Sequence, residues 1–136
     1  MEVTAGYLGG TKFEIRARAH RLICDQPADH GGQDAGPTPP EFLLASLAGC
    51  AAFYAAEYLN TRHLAASDLS VRVTAEKTKS PARLASFLIE VTAPSLDERH
   101  QAGILRAVKS CLIHNTLLHQ PNVDVTLRSA AIAPAA

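Results

Sequence analysis

The sequence predicts a single α+β domain in which strands lie on both sides of one long apolar helix. Two stretches, 12–25 and 69–93, show the alternation of apolar and polar residues that is typical of paired strands. Between them, residues 38–60 form a capped apolar run of helical length. With 136 residues, the chain is long enough to bury one core.

The first pair of strands is predicted to be a β-hairpin. In KFEIRARA, Phe13 and Ile15 alternate with Glu14 and Arg16, and RLICD follows as a return strand. The next residues, 26–37, read QPADHGGQDAGP and contain three glycines and two prolines. They predict a long loop, and loops of this length in a compact domain are usually functional or flexible.

The central helix is predicted over 38–60. Thr38 stands at its N-cap, two prolines follow at the first helical positions, and Glu41 completes a capping box. The helix is apolar nearly all round, so we expect it to be enclosed on most sides. Because Glu41 and Glu57 bracket its apolar core, we expect no membrane span.

The second half of the chain predicts two strands, two helical segments and a final strand. LSVRVTAEKT and ARLASFLIEVTA form a hairpin around KSP. Ser95 and Glu98 predict a capping box that opens a helix to about Lys109. CLIHNTLLHQ continues or restarts the helix, NVDVTLR predicts a C-terminal strand, and the tail 129–136 is expected to fray.

The composition excludes several classes of function. Thirteen basic and thirteen acidic residues give zero net charge, and Trp is absent, so nothing indicates nucleic acid or an anionic membrane as a partner. The N-terminus lacks the basic-then-apolar pattern of a signal sequence, so we expect a cytoplasmic location. Three cysteines in such a chain indicate redox or catalytic use rather than a disulfide scaffold.

Two cysteines stand at positions where a thiol could react. Cys50 lies midway along the central helix, and Cys111 lies at a helix start, where backbone N–H groups stabilise a thiolate. Neither belongs to a CxxC motif, which excludes a thioredoxin motif or a zinc knuckle. Either cysteine could instead be an ordinary buried residue, as we expect for Cys24.

The six histidines predict no metal site. His114 and His119 are five residues apart, which separates them by about 140° around a helix and prevents joint chelation. His30 lies in the glycine-rich loop beside Asp29. It could line an entrance to a site or simply be solvated.

The cysteines occur within two longer motifs. DQPADHGGQDAGPTPPEFLLASLAGC resembles the D-x-P…G-G…G-P-x-P-x-E-x-L-L-x-x-L-x-x-C segment of the OsmC-like family, and SCLIHNTL resembles its second motif, C-P-V-H-x-T-L. The resemblance covers nearly the whole chain and is strongest to the branch of OsmC-like redox proteins. It implies the OsmC-like fold, with antiparallel sheets around a buried central helix, and an intertwined homodimer.

The resemblance also implies a thiol peroxidase that acts on a small hydrophobic peroxide. Cys50 would attack the O–O bond, Cys111 would resolve the sulfenic acid as a disulfide, and Glu41 matches the active-site glutamate. No bound cofactor is implied, only an external dithiol reductant such as protein-bound lipoyl. Further residues expected to line the binding site at the dimer interface are His114, His30 and Phe53.

The sequence departs from the family pattern in two places. Peroxidase members hold the thiolate with a loop arginine, but no Arg or Lys occurs between Arg21 and Arg62. A buried thiol without a cation keeps a high pKa, so we expect weak reactivity unless a strand arginine substitutes. The second departure is at the resolving cysteine, where Leu112 and Asn115 replace Pro and Arg.

The main alternative is a dimeric module that binds a small hydrophobic ligand and has inherited its cysteines. The spacing of Glu41 also leaves two roles open. It lies nine residues before Cys50, which places it about 13.5 Å away along the helix and on roughly the opposite side. Within one chain Glu41 can therefore only cap the helix, and a catalytic role would require the partner subunit.

Overall fold

A computed structural model describes residues 1–93 and 95–129 as an α+β domain with two antiparallel sheets and one long helix. The predicted fold class is therefore confirmed. In chain order the elements are β1 (Thr4–Gly9), β2 (Lys12–Ala17), β3 (His20–Cys24), α1 (Pro39–Asn60), β4 (Ser70–Lys79), β5 (Ala82–Thr92), α2 (Glu98–Lys109) and α3 (Leu112–Leu118). Most of the predicted tail lies outside the described residues.

The N-terminal sheet has three strands in the order β1-β2-β3, where the sequence predicted a hairpin. The additional strand β1 was missed because TAGYLG has no clear alternation and its side chains are mostly exposed. Gly9 and Gly10, with φ of 104° and 57°, make the turn into β2, a conformation that favours glycine. Within the described residues this sheet makes no extensive contact with the helices or with β4 and β5.

A single buried carboxylate organises the loop that follows β3. The side chain of Asp25 accepts hydrogen bonds from the Thr11 hydroxyl at 2.6 Å and from the backbone N–H groups of Gln33 and Ala35 at 3.0 and 3.2 Å. The Thr11 bond, with the backbone bonds, holds the pKa of Asp25 well below its ordinary value. The loop is also close-packed, since a Cβ on Gly36 would lie 2.1 Å from the Ile23 carbonyl oxygen.

Helix α1 begins as predicted but is less enclosed than predicted. Thr38 is its N-cap residue, and the Glu41 carboxylate accepts hydrogen bonds from the Thr38 N–H at 2.7 Å and from its hydroxyl at 2.8 Å. Only one stripe is buried, consisting of Leu47, Ala51, Ala55 and Leu59. Phe53 is 62% exposed, so one chain alone does not enclose the helix on most sides.

The composition of helix α1 does not by itself decide whether it spans a membrane. Helix α1 is long and apolar enough to cross a membrane despite its two glutamates. One such helix is weak support for a membrane protein, because the core helix of a globular domain has the same composition.

The core lies where α1 packs on α2 and on the β4–β5 hairpin. Ala51, Ala55 and Leu59 contact Ile104 and Val108. Strands β4 and β5 pair as predicted, with Val73 opposite Ile89. Partly buried residues that complete this core include Tyr58, Leu64, Leu69, Val71, Ile89, Val91 and Leu96.

The structure corrects two predictions in the C-terminal half. Helix α2 is capped by Asp97, whose side chain accepts the His100 N–H at 2.8 Å, and not by Ser95. Residues 122–128, predicted as a strand, have no regular secondary structure, and Leu127 is 94% exposed. Alternation alone does not form a strand, because the described part of the chain pairs no third strand with β4 and β5.

Candidate functional site

The structure brings Cys50 and Cys111 together. Helix α1 presents Cys50 one turn beyond the buried Leu47, and Cys111 is the N-cap residue of α3. Both thiols are free, and they are close enough for each to shift the pKa of the other. Cys111 is buried and Cys50 is half-buried, so Cys50 is the more accessible of the pair.

The surroundings of the two thiols favour ionisation of Cys50. Burial raises the pKa of Cys50, but hydrogen bonds from the Cys111 thiol and from the backbone N–H groups of Ile113 and Leu112 outweigh burial and lower it. For Cys111, burial raises the pKa and the bond to Cys50 raises it further. The His114 N–H, 3.4 Å from the Cys111 sulfur, offsets only part of this increase. The two pKa shifts have opposite directions, and they favour Cys50 over Cys111 as the thiol that ionises.

No cationic side chain contributes to this effect among the described residues. Arg16 and Arg21, the strand arginines considered as substitutes, both pair with Glu14 and hold its pKa below the ordinary value, Arg21 most strongly. The expectation that Cys50 keeps a high pKa without a cation is thus wrong. Hydrogen bonds from Cys111 and from the first turn of α3 take the place of the charge.

Glu41 lies apart from the thiols in the single chain. Its side chain is exposed, and hydrogen bonds from the Thr38 backbone and hydroxyl lower its pKa. These bonds are the capping role that the sequence allowed. The structure of one chain therefore leaves a catalytic role for Glu41 as a prediction about the dimer.

A mainly apolar cavity of about 740 Å³ lies beside the thiol pair. Leu47, three residues before Cys50, and His114, three residues after Cys111, both line it. The Nδ1 atom of His114 is buried and has no hydrogen-bond partner among the described residues. The other lining residues include Leu43, Leu84, Phe87, Ile89, Val91, Leu105, Val108, Leu117 and Leu118, with Arg83 and Lys109.

The other two predicted binding residues do not line this cavity. His30 is exposed, and its Nδ1 lies 3.1 Å from an Asp29 carboxylate oxygen. Phe53 is exposed and makes an edge-to-face contact with Tyr54, with the ring centroids 5.6 Å apart. The described part of the chain contains no group of three or more His, Cys, Asp or Glu residues arranged to hold a metal ion.

Sequence reasoning missed the contribution of β5 to the cavity. Phe87, Ile89 and Val91 all line it from one face of that strand. The alternation that predicted the strand could have identified this face, because residues two apart share one side of a sheet. What it could not identify was that α1, α2 and α3 would leave a space over it.

Comparisons with known proteins agree with this architecture. No curated protein sequence matches the chain. Among solved structures, a protein of Psychrobacter arcticus assigned to osmotic stress and detoxification is 20% identical, with a TM-score of 0.76 over 84% of this chain and 85% of its own. An OsmC-like protein of Mycoplasma pneumoniae is 20% identical, with a TM-score of 0.71 over 88% of this chain and 87% of its own.

The organic hydroperoxide resistance protein OhrB of Bacillus subtilis is also 20% identical, with a TM-score of 0.56 over 88% of this chain and 90% of its own. At these identities the likeness concerns the fold. The sequence profile described as OsmC-like protein matches residues 31–127, which include α1, both cysteines of the pair and the cavity wall. The chain belongs to the OsmC-like protein family.

Proposed function

We propose that this protein is a thiol peroxidase that reduces organic hydroperoxides through a Cys50–Cys111 disulfide cycle. The observation that carries the proposal is the pair of free thiols, in which Cys111 is buried and Cys50 is half-buried; the lowered pKa of Cys50 supports it. Membership of the OsmC-like family and the likeness to a hydroperoxide resistance protein support the same chemistry. Free thiols that cycle in this way suit a reducing cytoplasm.

The reaction begins with attack of the Cys50 thiolate on the terminal oxygen of the hydroperoxide. The O–O bond breaks, Cys50 becomes a sulfenic acid, and the alkoxide takes a proton from solvent and leaves as an alcohol. The Cys111 thiol then attacks the sulfenic sulfur, which forms the disulfide and releases water. An external dithiol of the lipoyl type reduces the disulfide by thiol–disulfide exchange and restores both thiols.

The apolar cavity supports a hydrophobic substrate. Its lining is mainly aliphatic and aromatic, and it approaches the thiol pair through Leu47 and His114. Burying an apolar alkyl group there contributes about 25 cal/mol for each Å² removed from water. An alkyl hydroperoxide gains this contribution, whereas hydrogen peroxide has no apolar group to bury.

We propose that the active protein is a homodimer. In one chain, the α1 residues Leu43 and Phe53 are exposed, and the β1–β3 sheet packs extensively on no other described element. A second copy would cover both surfaces and could bring a Glu41 carboxylate to the opposite thiol pair. Sedimentation at micromolar concentration tests this, with Phe53→Glu expected to yield monomers. A folded wild-type monomer would remove the composite site.

Peroxide titration of the reduced protein, followed by mass spectrometry of each cysteine, tests the peroxidase. One equivalent of an alkyl hydroperoxide should join Cys50 to Cys111. Cys50→Ser should abolish peroxide consumption, and Cys111→Ser should leave a sulfenic acid that over-oxidises. Cys24→Ser is the matched control, because Cys24 is buried in the N-terminal sheet and lies outside the pair. Consumption that persists without Cys50 would contradict the proposal.

The second candidate function is non-catalytic binding of a small hydrophobic ligand. The observation in its favour is the cavity itself, whose size suits such a ligand and which no cysteine lines. The same titration separates the two functions. A pure binding module would leave both thiols reduced after exposure to one equivalent of hydroperoxide.

A further inference from the structure

A second, polar pocket lies between the C-terminal end of α1 and the outer face of α2. Its volume is about 370 Å³. Arg62 approaches it from the end of α1, and Arg99 and Arg106 approach it from α2. Tyr58, His100 and Ser110 complete the polar part of its lining. None of these residues belongs to the thiol pair or to the apolar cavity.

Tyr58 is the aromatic residue of the pocket lining. Helix α2 carries Gly103 against Tyr58, where an added Cβ would lie 1.9 Å from the phenolic oxygen. This close approach leaves the Tyr58 oxygen 3.1 Å from His100 Nδ1, within hydrogen-bond distance. The guanidinium carbon of Arg62 stacks 3.8 Å from the centre of the Tyr58 ring. Tyr58 therefore contacts one arginine and one imidazole of the pocket lining.

The positive charge of this pocket is not neutralised within the described chain. None of its three arginines lies within 4.0 Å of a carboxylate, whereas Arg16, Arg21 and Arg72 all form ion pairs elsewhere. The acidic residues nearest in sequence do not serve them. Asp97 caps α2 through the His100 N–H, while Glu57 and Glu98 are exposed. In a chain of zero net charge, this concentration of guanidinium groups is a local excess of positive charge.

We propose that this pocket binds a phosphate-type oxyanion, either inorganic phosphate or the phosphate group of a small monoester. Guanidinium groups present paired N–H donors that match phosphate oxygens, and several of them around one concave site favour a multiply charged anion over a single carboxylate. The Ser110 hydroxyl donates to the Arg106 carbonyl at 3.3 Å and the Tyr58 hydroxyl lies 3.1 Å from His100 Nδ1, so the Arg99 and Arg106 guanidinium groups are the main donors for the anion. The pocket, at about 370 Å³, is larger than one phosphate ion and has room for an organic substituent.

Calorimetric titration of the full-length protein at constant ionic strength tests the proposal. The probes are inorganic phosphate, phenyl phosphate and acetate. Saturable binding of phosphate is expected, and tighter binding of phenyl phosphate would identify the monoester as the preferred form. Arg99→Gln and Arg106→Gln should each weaken binding about tenfold or more, as expected for loss of a charged hydrogen bond. Arg72→Gln is the matched control and should leave the affinity unchanged.

Three results would overturn the proposal. The first is the absence of saturable binding of both phosphate probes. The second is equal affinity for phosphate in the Arg99→Gln and Arg106→Gln variants and in the Arg72→Gln control. The third is acetate binding as tight as phosphate binding. The peroxide titration of the same variants is a separate readout. The polar pocket and the thiol pair share no residue. Loss of phosphate binding with normal Cys50 oxidation would therefore be distinguishable from loss of Cys50 oxidation with normal phosphate binding.

Discussion

Replacing Cys111 tests the origin of the reactivity of Cys50. The structure assigns the lowered pKa of Cys50 to hydrogen bonds from the Cys111 thiol and from backbone N–H groups, without a cation. Cys111→Ala removes the thiol donor and leaves the N–H groups. Cys111→Ser keeps a donor of similar size, and a hydroxyl is also a stronger N-cap acceptor for α3. The two variants therefore separate the hydrogen bond from the loss of a disulfide partner, which both share.

The size of the effect follows from the bond that is removed. A hydrogen bond to a charged acceptor is worth about 1.5–3 kcal/mol, and about 1.4 kcal/mol corresponds to a factor of ten. The lower end applies here, because Cys50 is only half-buried and the N–H groups of Ile113 and Leu112 remain. We expect the acid dissociation constant of Cys50 to fall about tenfold in Cys111→Ala, with a corresponding rise of its pKa, and to change little in Cys111→Ser.

The assay is the rate of Cys50 alkylation as a function of pH, followed by mass spectrometry of the peptide that contains Cys50. The rate reports the thiolate, because the thiol does not react. Circular dichroism checks that α3 is retained in both variants. If Cys111→Ala alkylates at the wild-type rate with α3 intact, the Cys111 thiol is not what lowers the pKa of Cys50, and the partner subunit becomes the place to seek a cation.

Three further predictions follow from individual contacts. Glu41→Gln should keep the helix cap and the melting temperature, since glutamine also serves in a capping box, but should slow Cys50 oxidation severalfold if the carboxylate acts in the dimer; an unchanged rate would limit Glu41 to capping. Because Asp25 has a lowered pKa, its stabilisation is present above the unfolded-state value of about 3.8 and is lost as the pH falls below it. Asp25→Asn should accordingly lower stability to urea at pH 7 and flatten its pH dependence below pH 4, and a parallel pH profile would contradict this. Gly103→Ala should cost about 1–3 kcal/mol of unfolding free energy by overpacking Tyr58, measurable by urea denaturation, whereas wild-type stability would show that Tyr58 moves aside freely.

The sequence alone determined the features that depend on neighbouring residues. The start of α1 at Thr38 and Glu41 follows from side chains that bond to backbone groups three residues away. The β4–β5 hairpin and the position of Cys111 at the start of α3 follow from local periodicity in the same way. The two cysteine motifs identified the family, which the match over 31–127 then showed.

Only the tertiary structure decided how distant segments meet. Ser95 and Asp97 are both residue types that cap helices well, and in the structure Asp97 is the N-cap residue of α2. The alternating residues 122–128 have no regular secondary structure, because a strand requires backbone pairing and these residues pair with none of the described strands. The pKa of Cys50 depended on N–H groups more than sixty residues away in sequence. Periodicity indicates which face of a helix or strand is apolar. Which elements pack against that face depends on the tertiary fold of the whole chain.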